Sequence, residues 1–281
     1  MKNKLPLFIV LFALSFSASG QNTKLMSYNI KYDNTNDTVN NWHDRKENLV
    51  RLIHHYKPAF IGTQEVLHRQ LNYIDSCLTN YAYIGVGRDD GKQEGEYSPI
   101  HYDTTRYRVL KKNTFWLSET PSKVSIGWDA SLERICTYGL FEDIQTKDRL
   151  WVFNTHFDHI GVKAREESAR LIIDKIKDSN TENLPIVLMG DFNRTPDQKP
   201  IRHIKAYLKD GQEITENLFY GPRGTYSGFD QKMILNRRID YIFTKDLKVK
   251  RYMHIDDRME NNKHISDHLP ILITIEHYKK S

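Results

Sequence analysis

Short apolar runs recur along this chain, several of them ending in or beside a carboxylate, an amide or an imidazole. That repetition constrains the fold more than any other feature. The runs at 24–30, 59–63, 81–86, 98–102, 108–117, 137–145, 150–156, 186–189, 239–243, 249–254 and 271–276 have strand length and β-branched or aromatic content. Between them lie segments with helical spacing. Residues 44–56 place Leu49, Leu52, Ile53 and Tyr56 on one face behind Asp44 as cap, and residues 67–78 do the same with Leu71, Ile74 and Leu78. Residues 164–176 and 200–208 also read as helices. Strands alternating with helices, with several strands in succession, predict an α/β protein with a mixed sheet or two sheets.

The first twenty residues stand apart. Lys2 and Lys4 precede the apolar stretch 5–16, and the small residues Ser17, Ala18, Ser19 and Gly20 follow it. This predicts a secretory signal peptide over residues 1–20, cut before Gln21. The stretch is short for a membrane span, which needs about 20 apolar residues. No Pro/Ser-rich linker or repeat divides the remainder, so residues 21–281 are expected to form one domain, exported to the periplasm or beyond. The whole chain carries a formal charge of +5. Without the two leader lysines it falls to +3, so charge alone does not indicate nucleic acid. Cys77 and Cys136 lack zinc-ligand spacing. Export permits a disulfide between them, and two separate thiols fit equally well.

The polar residues cluster at strand ends, where α/β folds place their sites. Asn29 ends the first run, and Gln64-Glu65 the second. Asn154-Thr155-His156 closes another, and Gly190-Asp191-Phe192-Asn193 follows the run at 186–189. Ser266-Asp267-His268 precedes the last strand. Asp240 lies inside an apolar run, where a carboxylate needs a partner. Hard oxygen ligands with two imidazoles suit Mg²⁺ or Mn²⁺ and a phosphate ester. The ion and the cationic groups stabilise phosphoryl charge, while a carboxylate deprotonates water. Taken singly, each cluster also reads as a turn or a helix cap. Their joint occurrence carries the inference.

In this order the motifs resemble those of the endonuclease/exonuclease/phosphatase superfamily, over about residues 24–276. The resemblance implies a two-sheet mixed β-sandwich flanked by helices, in four layers α/β/β/α, with the site at one edge. It also implies roles. Glu65 is the main metal carboxylate, Asn29 lies beside it, and Asp267 is a further metal or water ligand. Asp191 and Asn193 orient the attacking water and the phosphate, Asp191 acting as base. His268 contacts the scissile phosphate and Asp240 pairs with it. His156 is the second histidine, Glu96 its candidate partner, and Arg134 a phosphate contact. The proton donor is left open among His156, His268 and Asp191.

Other features are weighed alongside. His54 and His55 are expected on a helix surface. Asp158 and His159 extend the site or define its loop. Trp116 belongs to the core or the site wall. The loop Gly224-Thr225-Tyr226-Ser227-Gly228-Phe229 either packs at the surface or shapes substrate choice. A zinc hydrolase reading of Thr155-His156-Phe157-Asp158-His159 fails because residue 158 is Asp, which breaks the His-x-His-x-Asp-His spacing. A non-catalytic binding module would have lost some of Glu65, Asp191, Asn193, Asp240 and His268, and all five are present. The expected activity is therefore metal-dependent hydrolysis of a small or carbohydrate-linked phosphate ester by direct attack of water. A secreted nuclease is the alternative; nucleic acid is compatible as a partner but not favoured. No protein partner and no stable membrane span are inferred.

Overall fold

The computed structural model describes residues 22–277, so the expected leader lies outside the described residues. The chain runs β1 (Thr23–Asn29), α1 (Trp42–Tyr56), β2 (Phe60–Gln64), α2 (His68–Cys77), β3 (Tyr81–Ile84), β4 (Ile100–Asp103), β5 (Tyr107–Trp116) and β6 (Ile135–Asp143). It continues with β7 (Arg149–His156), α3 (Val162–Ser179), β8 (Ile186–Asp191), α4 (Lys199–Lys205), β9 (Lys209–Asp210), β10 (Asp240–Lys245), β11 (Leu247–His254) and β12 (Ile271–His277). Two six-stranded mixed sheets form, in the orders β11-β12-β1-β2-β4-β3 and β5-β6-β7-β8-β10-β9.

The layering follows from strand periodicity. Neighbouring residues on a strand face opposite ways, so strands buried on both faces read as continuous apolar runs. Leu25 and Phe60 of one sheet meet Val152, Val187, Met189 and Ile242 of the other in the central core. Met26, Tyr28 and Ile61 face outward onto Leu49, Ile53, Leu71 and Ile74 of α1 and α2. Phe153, Leu188, Tyr241 and Phe243 face the other way, onto Ile172, Ile176, Ile201 and Ile204 of α3 and α4. The result is the four-layer α/β/β/α sandwich. Among the described residues, no helix is long and apolar enough to cross a membrane.

Several local expectations shift. The cap of α1 is Asn41, whose side chain accepts from the Asp44 N–H, so the helix begins at Trp42 rather than at Asp44. The two-residue β9 is too short to show a period. Both cysteines are free. Cys77 packs towards the α1/α2 layer and Cys136 lies in the α3/α4 core, in different layers of the sandwich. A buried amide joins the sheets beneath the site. Asn154 donates to the carbonyls of Thr63 and Pro99, both at 2.8 Å, and accepts from Gln64 Nε2 at 2.7 Å. Gly62 leaves room for this: a Cβ there would lie 2.8 Å from Asn154 and 2.7 Å from Met189.

Candidate active site

Register gathers the strand-end residues on one edge. Parallel β1 and β2 align Asn29 with Gln64, so Glu65 follows directly beside Asn29. Parallel β7 and β8 align His156 with Asp191, and antiparallel β10 sets Asp240 opposite Asp191. The loop before β12 brings Asp267 and His268 to the same edge. Lys31, Glu65 and Asn193 all have positive φ, near 60°, 60° and 51°. Such backbone is uncommon for residues with a Cβ and tends to collect at functional sites.

The side chains form one continuous network. Asn29 Nδ2 donates to Glu65 Oε1 at 3.0 Å and to Asp191 Oδ2 at 3.1 Å. Asp191 Oδ1 accepts the Asn193 N–H at 2.8 Å, and Asn193 Nδ2 donates to His156 Nε2 at 3.1 Å and to the Phe157 carbonyl. His268 Nδ1 lies 2.8 Å from Asp240 Oδ2, and its Nε2 lies 3.7 Å from Asp191 Oδ2. The Thr225 hydroxyl donates to the same Asp240 oxygen at 2.6 Å.

Charge is tuned by burial and by neighbours. Burial, with Asp240 adding, pushes the Asp191 carboxyl up to about 7. For His268, burial favours the neutral ring, but Asp240 and Asp191 override it and hold the imidazole well above its ordinary value. His156 goes the other way: burial and the guanidinium groups of Arg134 and Arg88 hold it well below. A neutral His156 accepting from Asn193 at Nε2 carries its proton on Nδ1, a tautomer assigned from the hydrogen bonds. The two histidines are thus opposite in character, one cationic and one neutral.

One pairing needs correction. Glu96 is not the hydrogen-bond partner of His156. It takes a two-pronged bond from Arg88 at 2.8 and 3.1 Å, and its Oε2 is 4.0 Å from His156 Nδ1. A guanidinium fork matches a carboxylate better than a single ring N–H does. Arg134, the expected phosphate contact, lines the pocket. Its Nε reaches Asp158 at 3.3 Å, Nη2 meets His159 Nδ1 at 3.0 Å, and Nη1 is buried without a partner. Asp158 also accepts from the N–H groups of Ile160 and Gly161 and from Ser131, so it organises the loop, while His159 lines the pocket. Trp116 donates to the Arg88 carbonyl, at the back of the wall.

Lys31, Arg88 and Arg237 carry no motif in the sequence, whereas Thr225 and Tyr226 lie in the Gly-bounded loop weighed above. Lys31 bonds Glu65, Arg88 holds Glu96, and Thr225 anchors Asp240. Arg237 stacks over Tyr226 at 5.1 Å, and Tyr226 packs edge-on to His268. The pocket above the network has a volume of about 420 Å³.

Glu65, Asp267 and Asn29 offer hard oxygens of the kind Mg²⁺ or Mn²⁺ takes. Burial and the neighbouring Glu65 charge raise the Asp267 carboxyl, a repulsion that a cation relieves. Among the described residues, Asp191, Asp240 and His268 also bring ligand atoms within 4.8 Å of one another. The Asp240–His268 hydrogen bond at 2.8 Å makes that group a proton network first.

A two-sheet sandwich with an acidic cradle and a His–Asp pair at one sheet edge defines the class of phosphate-ester hydrolases. The chain belongs to the Endonuclease/Exonuclease/phosphatase family, whose sequence model matches residues 26–268. A family member from Bacteroides thetaiotaomicron is 36% identical, superposing with a TM-score of 0.89 over 93% of this chain and 100% of its own. A mannosyl-6-phosphatase from B. thetaiotaomicron VPI-5482 is 37% identical (TM-score 0.86, 90% and 99% covered). A protein of the same family from B. vulgatus is also 37% identical (0.87, 92% and 100%). Human nocturnin, at 15% identity and a TM-score of 0.74, shares the fold. A comparison with curated protein sequences finds no match.

Proposed function

We propose that this protein is an exported, Mg²⁺- or Mn²⁺-dependent phosphohydrolase that releases phosphate from a small, sugar-linked phosphomonoester by direct attack of water. One observation carries the reading. The Asp191 carboxylate hangs between the Asn29–Glu65 cradle and the Asp240–His268 pair, on the floor of the pocket. The 37% identity to a mannosyl-6-phosphatase supports the monoester class, and the leader-like residues 1–20 support export.

The chain's own groups account for the chemistry. Asp191, with its carboxyl pushed up to about 7, is matched to take a proton from water at neutral pH. Asn193 fixes its orientation through the backbone N–H at 2.8 Å. The cationic His268, held by Asp240, and the free Nη1 of Arg134 stabilise charge on the phosphoryl oxygens. Glu65, Asn29 and Asp267 would hold the divalent ion, which supplies Lewis-acid stabilisation of the same oxygens when bound. The water oxygen bonds to phosphorus as Asp191 takes its proton, the ester P–O bond breaks, and the departing sugar oxygen is protonated to the alcohol, with His156, His268 and the now protonated Asp191 as the candidate donors.

The test is a panel of mannose 6-phosphate, glucose 6-phosphate, DNA, RNA and a bis-aryl phosphodiester, with Mg²⁺ and with EDTA. Expected are turnover of a sugar phosphate with metal, and its loss in EDTA and in Asp191→Ala. Nucleic-acid cleavage without sugar phosphate turnover would assign the site to the nuclease branch. Full activity in EDTA would remove the metal.

A further inference from the structure

The acidic cradle holds a cation of the protein's own. Lys31 Nζ stands 3.3 Å from Glu65 Oε2 and 3.8 Å from Asp267 Oδ2, and 4.4 Å over the ring of Tyr32. Its side chain is only 27% exposed. A lysine at a strand end ordinarily extends its ammonium into water. Here the backbone aims it inward. Lys31 has φ near 60°, a left-handed conformation that is strained for a residue with a Cβ. Three hydrogen bonds hold that conformation. The Lys31 N–H donates to Asn29 Oδ1 at 3.1 Å, and its carbonyl accepts from Gln70 Nε2 at 3.0 Å and Arg45 Nη2 at 3.3 Å.

Arg45 and Gln70 are themselves buried. Arg45 Nη1 also donates to the carbonyls of Ile30 and Ile265, both at 2.9 Å. One guanidinium therefore ties the turn carrying Lys31 to the loop carrying Asp267. The backbone strain, the buried supports and the two carboxylates within 4 Å all place this ammonium in the cradle.

We propose that Lys31 is a tethered cation of the metal cradle. It offsets one charge of the Glu65–Asp267 pair, sets the site for a single divalent ion, and weakens the binding of that ion. The proposal rests on the metal-dependent reading above. Two carboxylates alone present two negative charges; with the ammonium they present one. The ammonium would repel any divalent ion engaging the same pair, and more strongly each further ion, at an energy that grows as the site is desolvated. Lys31 also lines the same pocket, so its ammonium would face the substrate's phosphoryl oxygens from its place beside the acids. The chain would then provide by a side chain what a second ion provides in two-metal sites.

The experiment is calorimetric titration of the metal-stripped protein with Mn²⁺, for wild type, Lys31→Met and Lys31→Arg. Wild type is expected to bind one ion. Lys31→Met is expected to bind it about tenfold more tightly, while its metal-free form melts at a lower temperature because the acids lose their partner. Lys31→Arg restores wild-type affinity. Tighter binding cannot come from a damaged site, which would lose affinity. Lys31→Gln provides the same comparison should the methionine variant fail to fold. Two ions per wild-type chain, or unchanged or weaker binding on removal of the ammonium, overturns the proposal. No binding by wild type overturns the metal-dependent reading with it.

Discussion

Replacing Asp191 by Asn separates the energetic cost of this carboxyl from its chemistry. In the folded protein, burial and the nearby Asp240 push it up to about 7 from an ordinary 3.8. Between those pH values the folded protein binds the proton and the unfolded chain does not. Stability is therefore greatest below the unfolded value and falls as pH rises through the folded one. At ~1.36 kcal/mol for each pH unit separating the two, the full penalty above pH 7 is roughly 4 kcal/mol. Asparagine cannot ionise, so the variant lacks this slope. It also exchanges the oxygen that accepts from Asn29 Nδ2, but that cost is the same at every pH. The useful quantity is the stability difference between variant and wild type, compared at two pH values. Urea unfolding in EDTA should show that difference moving in the variant's favour by roughly 3 kcal/mol between pH 4.5 and pH 8. Mg²⁺ should shrink the change, because a nearby cation favours the ionised carboxylate. Turnover should fall by at least 10²–10⁴-fold. An identical difference at both pH values would refute the argument from burial, and near-wild-type turnover would refute the role as base.

Four further outcomes follow from the geometry. Asp240→Asn removes the anion that holds His268 protonated, so the alkaline limb of the kcat/KM profile should move to lower pH; an unmoved limb would detach His268 from catalysis. The same variant should lose the most stability below pH 6.5, where the raised histidine is charged in both folded and unfolded states and its ion pair contributes fully. Glu65→Gln should weaken Mn²⁺ binding by roughly 10–100-fold or more in calorimetry, and an unchanged affinity would place the ion elsewhere. Gly190→Ala should destabilise by about 1–3 kcal/mol, because φ there is 151° and a Cβ would lie 2.1 Å from the Thr155 carbonyl oxygen. A melting curve matching wild type would show that the strand before Asp191 relaxes freely.

Much of this site was legible because its residues sit at the ends of short continuous apolar runs and, taken in order, form motifs that resemble those of the family. Asn29, Glu65, Asp191, Asn193, Asp240 and His268 all appear in the network that the motifs suggest. Glu96 is instructive in the other direction. Its place near His156 was correct to 4.0 Å, but its hydrogen bonds go to Arg88. Nothing local distinguishes an acid that orients a histidine from one that is held by an arginine. Arg134 and Asp158 show the same limit, since their bond forms across two loops. The cap of α1 was misplaced because Asp44 and Asn41 are both good caps, and only the path of the preceding loop decides between them.

The sequence by itself determined the alternation of strands and helices, the layers they bury, and the residue types gathered for phosphate chemistry. The alternation follows from hydrophobic patterning, which acts over a few residues; the layers and the phosphate chemistry follow from the motifs and the family they resemble. Only the tertiary structure decided which histidine is cationic, where the arginines go, and that Lys31 turns its ammonium into the acids. Those outcomes depend on groups far apart in the chain, such as Asn29 and Asp191, 162 residues apart and joined at 3.1 Å. Burial and Coulomb forces of this kind exist only once the two sheets have closed on each other.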